Sequence, residues 1–384
     1  MPERLRVVQI IPVLAFGGLE RVATTLSVGL AGRVERIVVC SAGAAGYTGG
    51  DPLEHELKEA GVEIRVIPRP APRTPVRFAR SLVALARVLR DERPDVIHAH
   101  NPAAAAAAAI ARRLTRRRDA AIVTTHHGVQ EERTRNAVRL LEASSDMVVG
   151  IGPTVTRDLR AAGLPEDRSA TVFNAIEVHI TREPAEIRRE FDAEDAELVV
   201  NVGRYVEEKN QGLLLDAVAL LRETRPRLRA LVIGYGHLEP NLREHAKRLG
   251  LDGVVTLTGP RQDAVAIVAA ADAFAMTSAS EGLGLVVLEA MAVGCPVVAT
   301  AVGGVLDIVR DDETGLLVPD GDAKALAEAL GRLLDDAALR RRLAEQARRL
   351  AEREFSVKGM VEQYEAVYES VVARRRAELS PRRV

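Results

Sequence analysis

Cysteine is almost missing from this chain: Cys40 and Cys295 are the two examples, each inside an apolar run. That scarcity excludes a disulfide framework, and both thiols are expected to be small core residues of a reducing compartment. No His/Cys set has a zinc-ligand spacing. His98 and His100 share a strand end and face one side of it, where they can line a binding pocket, but a metal there would need a third ligand that the local sequence lacks. An excess of charge of either sign is also absent. The 53 basic residues face 54 acidic ones for a formal net charge of -1, which argues against a broad nucleic-acid footprint. Long apolar runs are lacking too. Ala103–Ile110 is short and ends in arginines, and the opening Arg4–Ile11 is too short for a signal peptide and reads as a first strand. These absences lead to the expectation of a cytoplasmic protein with no metal and no cofactor.

What is present is apolar content of 47% spread over 384 residues, enough for two cores. Short β-branched runs alternate with helical stretches, the pattern of parallel sheets built from βαβ units. One set of strands is expected at Val7–Ile11, Ile37–Cys40, Ile64–Ile67, Val96–Ala99, Ile122–Thr125, Met147–Val149 and Ala170–Phe173, with helices such as Leu19–Ala31, Arg77–Asp91 and Pro102–Arg117 between them. A second set is expected at Leu198–Val202, Arg229–Ile233, Val254–Thr258, Ala273–Thr277, Pro296–Thr300 and Gly315–Val318. The polar Asn174–Ala196 stretch separates the sets. The chain ends in helices over Ala323–Leu334, Ala337–Glu352 and Val357–Arg376. In the last of these, Met360, Val361, Tyr364, Val367, Tyr368, Val371 and Val372 keep a helical period, so it must lie on something. The tail Ser380–Val384 is expected to fray.

The fold class is therefore α/β, with two doubly wound domains. The expected division is 1–178, 179–355 and 356–384, the last a helix returning to the first domain. Two such domains on one linker form a cleft lined by the carboxyl ends of both sheets. Informative glycines fall at those ends: Gly17 and Gly18 after the first strand, then Gly203, Gly234, Gly236 and Gly259.

The most telling segment runs from Glu281 to Met291. Gly282 and Gly284 free the backbone ahead of a helical run, so the amides around Leu283 and Leu285 can meet an anion at a helix terminus. Glu281 and Glu289, eight residues apart, cannot attract a phosphate and suit hydroxyl groups instead. A sugar nucleotide carries both.

Taken in order, Gly17-Gly18-Leu19-Glu20-Arg21, Thr124-Thr125-His126-His127-Gly128, Val202-Gly203-Arg204 with Glu208-Lys209-Asn210, the Glu281 to Glu289 segment and Thr300-Ala301-Val302-Gly303-Gly304 resemble the retaining GT-B glycosyltransferases of family 4. The resemblance covers residues 5 to 372. It implies a GT-B fold, a second domain that binds the nucleotide sugar and a first domain that receives the acceptor. By the same resemblance Glu289 holds the donor ribose, Glu281 the transferring sugar and His127 the donor sugar from the first domain. His126 is its competitor, since adjacent strand residues point to opposite faces. Arg204 and Lys209 would stabilise the charge that builds on the leaving diphosphate, together with the amides of Gly282–Leu285. The catalytic candidates are thus His127, Glu281, Arg204 and Lys209. The donor-binding candidates are Gly17, Gly18, Gly203, Arg261, Gly282, Leu283, Gly284, Leu285 and Glu289. Glu281 has a plainer alternative as a helix cap.

The expected activity is transfer of a hexose or N-acetylhexosamine from a UDP- or GDP-type sugar to an acceptor hydroxyl, with retention of configuration and without metal. The acceptor is a glycan, a lipid-linked or a small molecule. A GT-B-type sugar-nucleotide epimerase and a non-catalytic sugar-nucleotide-binding protein are the rivals. Two departures from the family pattern stand out. Phe173-Asn174-Ala175-Ile176-Glu177 replaces Asn-Gly-Val-Asp, and Gly234-Tyr235-Gly236-His237 replaces Gly-Asp-Gly-Pro. Arg112, Arg113, Arg116, Arg117 and Arg118 crowd the end of the alanine-rich helix. They read either as a solvated face or as a peripheral contact with anionic lipid at the inner face of the membrane.

Overall fold

The computed structural model describes residues 4–14, 17–42, 52–68, 75–128 and 131–379. Its contacts divide it into two compact units, Met1–Ala175 with Val357–Val384, and Ile176–Ser356. The first unit alternates β1 (Arg6–Ile10), α1 (Gly18–Leu30), β2 (Arg36–Ser41), α2 (Pro52–Glu59), β3 (Glu63–Val66), α3 (Pro75–Glu92), β4 (Val96–Ala99), α4 (Pro102–Leu114), β5 (Ala121–His126), α5 (Glu131–Ser144), β6 (Met147–Gly150), α6 (Pro153–Ala161) and β7 (Ser169–Thr171). Its sheet is parallel, in the order β3-β2-β1-β4-β5-β6-β7. The second unit comprises α7 (Pro184–Glu190), β8 (Glu197–Val202), α8 (Gln211–Arg222), β9 (Leu228–Ile233), α9 (Glu239–Arg248), β10 (Val255–Gly259), α10 (Ala264–Ala269), β11 (Ala273–Met276), α11 (Leu285–Ala292), β12 (Val297–Thr300), β13 (Leu316–Val318), α12 (Ala323–Asp335) and α13 (Ala337–Glu354). Its parallel sheet has the order β10-β9-β8-β11-β12-β13. Each sheet reverses its strand order once, between β1 and β4 and between β8 and β11. Such switch points open a crevice at the carboxyl ends of the strands.

All thirteen expected strands are present, with ends shifted by two residues at most. Central strands covered on both faces should be apolar throughout, and most are. Val8, Ile10, Ile97, Ala99 and Ile122 turn toward α3 and α4, where the small alanines 104, 105, 107, 108 and 111 let the helix sit close to the sheet. Gln9, His98 and Thr125 break that pattern on the other face while remaining wholly buried. A buried polar side chain needs a partner. Much of what covers this face comes from the last helix, α14 (Val357–Leu379), which contacts α1 and β5 and buries Met360, Val361, Tyr364, Tyr368, Val371 and Val372. Val367 keeps the same period but is not among those buried residues. Each apolar side chain so buried stabilises by about 1.5–3 kcal/mol. The close approach of the two helices depends on Gly29, because a Cβ there would collide with the Val361 side chain.

Three local differences from expectation have physical causes. The alanine-rich helix stops at Leu114, not Arg117: Thr115 caps it and Arg116 takes a left-handed φ of 57°. Arg116, Arg117 and Arg118 therefore lie in the following turn. The polar stretch between the strand sets is no bare linker, since Pro184 starts the short helix α7 at a position that needs no amide donor. Ala175, standing where a family glycine was expected, takes no positive φ, and its amide meets Met360 Sδ at 3.4 Å. The tail Ser380–Val384 lies outside the described residues.

Candidate functional site

Three loops at the carboxyl edge of the second sheet lie in layers against one another. The Gly203 amide donates to the Ile233 carbonyl at 2.9 Å, the Tyr205 amide to Tyr235 at 2.8 Å, and the Gly234 amide to Gly259 at 3.0 Å. A Cβ on Gly234 would collide with the Gly203 carbonyl, and one on Gly236 with the Tyr205 carbonyl. Tyr205 is fully buried beneath this stack, with its hydroxyl donating to the Val232 carbonyl at 2.8 Å. Tyr235, whose carbonyl accepts from the Tyr205 amide, is half exposed.

Arg204 and Lys209 leave this layer differently. Arg204 is exposed and enters no ion pair among the described residues, while its carbonyl accepts from Gln211 Nε2 at 2.9 Å. Lys209 closes the turn before α8, where Asn210 sits in the left-handed region at φ 44°. The Lys209 carbonyl accepts from Thr277 Oγ1 at 3.0 Å, and its ammonium pairs with Glu281 Oε1. The same carboxylate oxygen accepts from Ser278 Oγ at 2.9 Å, and Thr300 Oγ1 donates to the Ser278 carbonyl at 2.6 Å. Glu281 is thus held by a cation and a buried hydroxyl through one oxygen. Its second oxygen enters none of these contacts. The cap alternative for Glu281 fails, because α11 begins at Leu285 and the cap position is Gly284, at φ +87°.

The Glu281–Leu283 backbone packs against a second glycine pair. The Gly304 amide donates to the Glu281 carbonyl at 3.1 Å. A Cβ on Gly303 would strike that same carbonyl, and one on Gly304 would strike the Gly282 carbonyl. Leu283 is buried, and the amides of Leu285 and Val286 open α11 with no preceding helical carbonyl to accept them. Glu289 lies one turn further along α11, half-buried. The second unit therefore brings together Gly203, Lys209, Glu281, Gly282, Leu283, Gly284 and Leu285. Arg261 stands apart: its guanidinium donates to both oxygens of Asp263 at 2.8 Å and to Glu190 at 2.8 Å, and stacks over Phe191. Arg182 bridges the same two acids. With these bonds Asp263 falls to about 2, chiefly through Arg261. The side chain of Arg261 is therefore engaged within the second unit.

In the first unit, Gly17 caps α1 and Gly18 opens it, both exposed. A Cβ on Gly17 would collide with the Glu20 carboxylate, so an acid already reaches back over this helix start. His126 is buried and burial lowers it to about 4, whereas His127 is half-buried with its Nε2 enclosed and unpartnered among the described residues. Beside it lies a network that spacing did not reveal. His98 Nδ1 meets the Tyr368 hydroxyl at 2.7 Å, His98 Nε2 meets Thr125 Oγ1 at 2.7 Å, and Thr125 Oγ1 meets the Tyr364 hydroxyl at 2.7 Å. His100 Nε2 lies 2.9 Å from Gln9 Oε1. Ring centroids step from His98 to His100 at 4.3 Å and from His100 to His127 at 5.8 Å. Burial holds His98 near 3 and drives His100 and His127 well below the ordinary histidine range, so the ladder is neutral. His98 is satisfied at both nitrogens. Gln9 Nε2 and His100 Nδ1 are not, among the described residues, and each such atom costs about 1–3 kcal/mol.

The arginine cluster is only partly a surface. Arg112 turns inward to Asp146 at 2.5 Å and to the Ala120 carbonyl, and Arg117 pairs with Asp119. Arg113, Arg116 and Arg118 are exposed.

Comparison with known proteins gives the class first. Over 95% of this chain and 100% of the other, the fold matches Anabaena HepE, solved with UDP-glucose, with a TM-score of 0.82 at 22% identity. Sucrose-phosphate synthase from Thermosynechococcus elongatus matches over 97% of this chain and 100% of its own, with a TM-score of 0.79 at 21% identity. This is the GT-B fold. The model of the family "Glycosyl transferases group 1" matches residues 183–350 and that of "Glycosyltransferase Family 4" matches residues 16–179. The chain belongs to the family 4-type glycosyltransferases. Among curated relatives, the lipopolysaccharide core biosynthesis glycosyltransferase LpsE of Rhizobium meliloti is 38% identical over 44% of this chain and 49% of its own length. The N-acetyl-alpha-D-glucosaminyl L-malate synthase of Bacillus anthracis is 27% identical over 62% of this chain and 63% of its own. A D-inositol 3-phosphate glycosyltransferase of Salinispora tropica is 41% identical over 50% and 42%. The matches span 42% to 63% of these relatives' own length.

Proposed function

We propose that the protein is a glycosyltransferase that moves a hexose or N-acetylhexosamine from a nucleotide-diphosphate sugar to an acceptor hydroxyl, with retention and without a metal ion. The observation that carries this reading is the joint placement of Lys209, Glu281 and the Gly282–Leu285 amides on one glycine-packed loop layer. In this reading the amides at the start of α11 and the cations Arg204 and Lys209 take the diphosphate, whose charge grows as the bond to the anomeric carbon breaks. The free oxygen of Glu281 accepts a sugar hydroxyl, and Glu289 accepts from the ribose. The acceptor oxygen bonds to the anomeric carbon on the face that the diphosphate leaves, and its proton passes to a leaving phosphate oxygen. A nucleotide-sugar partner is supported by the UDP-glucose bound to HepE, and hydroxyl acceptors by the names of the inositol and malate relatives.

A thermal-shift screen of UDP- and GDP-sugars tests the reading, because a ligand that binds only the folded state raises Tm by mass action. Glu289→Ala and Glu281→Ala should each lower turnover at least about tenfold. Unchanged turnover removes the role of the residue concerned, and activity lost on chelation removes the metal-free step.

A second surface supports peripheral contact with anionic lipid. Along α3, Val76, Arg80, Val83, Arg87 and Arg90 form one exposed stripe, and those arginines enter no ion pair among the described residues. Each well-placed charge adds about 1 kcal/mol of attraction to such a membrane. No described helix is long and apolar enough to cross one. Sedimentation with anionic vesicles at low salt should carry the protein down; recovery in the supernatant rejects the contact.

A further inference from the structure

Three hydroxyls stand at the carboxyl ends of two adjacent inner strands of the second sheet, Thr277 and Ser278 just past β11 and Thr300 at the end of β12. They are buried, at 0%, 1% and 0% exposure, where a parallel sheet covered on both faces ordinarily carries apolar side chains. A serine or threonine at a strand end can turn its proton to its own neighbouring backbone. None of these does. Thr277 Oγ1 donates to the Lys209 carbonyl at 3.0 Å, Thr300 Oγ1 to the Ser278 carbonyl at 2.6 Å, and Ser278 Oγ to Glu281 Oε1 at 2.9 Å. Each proton is thus spent on the Lys209 and Glu281 pair, or on the residue that holds it.

The three protons differ in what they meet. Thr277 and Thr300 meet backbone, as does the Ala279 amide, which donates to the Glu208 carbonyl at 2.9 Å, so these contacts staple the loops together. Ser278 alone meets a side chain of the candidate site. The plane of a carboxylate turns on a broad, two-fold torsion, so an ion pair with Lys209 by itself leaves either oxygen, or both, to take the ammonium. Ser278 removes that freedom by donating to Oε1, the oxygen that already takes Lys209. Glu281 Oε2 then has no partner among the described residues, and the ammonium keeps N–H groups for a second acceptor. The side chains of Glu281 and Lys209 retain 10% and 23% exposure, so both meet solvent while Ser278 lies behind them.

We infer that Ser278 is a positioning residue for sugar recognition: by gathering its own hydroxyl and Lys209 on one oxygen of Glu281, it keeps the other oxygen for a hydroxyl of the sugar being moved. Ser278 itself touches no substrate. Its use in sugar recognition rests on the glycosyl-transfer reading, whereas its hold on Glu281 is a property of the chain alone, and the two fail separately.

Calorimetric titration of the full chain with UDP-glucose against UDP, and with GDP-mannose against GDP, reads each sugar against its own diphosphate. Ser278→Ala should weaken whichever nucleotide sugar the wild type binds at least about tenfold, while the matching diphosphate stays within about threefold. Ser278→Cys, close in volume and a weak donor, should show the same split. Thr277→Val and Thr300→Val should instead weaken sugar and diphosphate alike, because they loosen loops that both ligands need. An equal change on both ligands for Ser278→Ala, or no change on either, overturns the inference. A second measurement needs no ligand. In urea denaturation, Ser278→Ala should lower the folding equilibrium constant about tenfold in the wild-type background and less than about threefold in the Glu281→Ala background. Equal effects in the two backgrounds overturn the inference whether or not a donor binds. If UDP, GDP and their sugars all fail to bind while the two effects still differ, the transfer reading falls and the hold of Ser278 on Glu281 stands.

Discussion

The carboxyl edges of the two sheets share a topology and differ in chemistry. In the second unit the edge is charged and built from backbone: glycines press three loops together, and Lys209, Arg204 and Glu281 stand on them. In the first unit the edge is neutral and built from side chains: Gln9, His98, His100 and Thr125 are buried, and two tyrosines from α14 hold His98 and Thr125. A charged edge suits a diphosphate, whereas a neutral one suits hydroxyl groups. Two sheets that share one switch-point topology thus carry different side chains at their carboxyl ends.

The sharpest separation is in pH. Burial lowers His98 from 6.5 to about 3 and His126 to about 4, and His100 moves the same way. Between those values and 6.5 the unfolded chain binds more protons than the folded one. Stability of the first unit therefore rises with pH through that window and is lost as pH falls below about 6.5. At pH 5 each such histidine removes about 2 kcal/mol relative to pH 7. Hydrogen exchange should show β5 and α14 losing protection at pH 5 well before α8 does. Equal loss in both units would erase the contrast.

Lys209→Ala should come next, lowering kcat/KM about 100-fold, or about 2.7 kcal/mol, because it removes both a phosphate cation and one of the two groups that hold Glu281. A loss below threefold would reject the phosphate role. Gly304→Ala should cost about 2 kcal/mol in chemical denaturation, since the new Cβ meets the Gly282 carbonyl and lies 2.9 Å from Leu283 Cα. Nucleotide-sugar binding should weaken with it. If stability is unchanged, the glycine packing does not set the loop.

The strands and the period of the last helix were legible because each depends on neighbours in sequence. Burial of Tyr364 and Tyr368 followed from that period; their hydroxyl partners did not, since Thr125 and His98 lie on strands far upstream. Arg112 fell inside a run of arginines that suggested a surface, yet Asp146 draws it inward. Arg261 matched a family turn, and its commitment to Glu190 needed the fold. Ser278 lies three residues before Glu281, and nothing in that spacing distinguishes a hydroxyl that holds a carboxylate from one facing solvent. Glu281 and Lys209 were legible as a pair of candidates, but not their contact. Local pattern specifies elements, whereas side-chain partners across a sheet depend on register.

The smallest expected effect isolates the neutral edge. Tyr368→Phe keeps the ring in place against His98 and removes only the hydroxyl at 2.7 Å from Nδ1. The loss should be about 1 kcal/mol, the net value of one buried hydrogen bond, plus part of the cost of leaving Nδ1 unpaired. His98 then has one partner in place of two. Its remaining bond to Thr125 favours whichever tautomer that hydroxyl supports, and the His98 nitrogen shifts should change while the loops of Lys209 and Glu281 keep their exchange protection. Donor affinity should remain within twofold, because the altered contact lies wholly in the first unit. A tenfold fall in donor affinity would show that the two edges are coupled and would end the comparison as drawn.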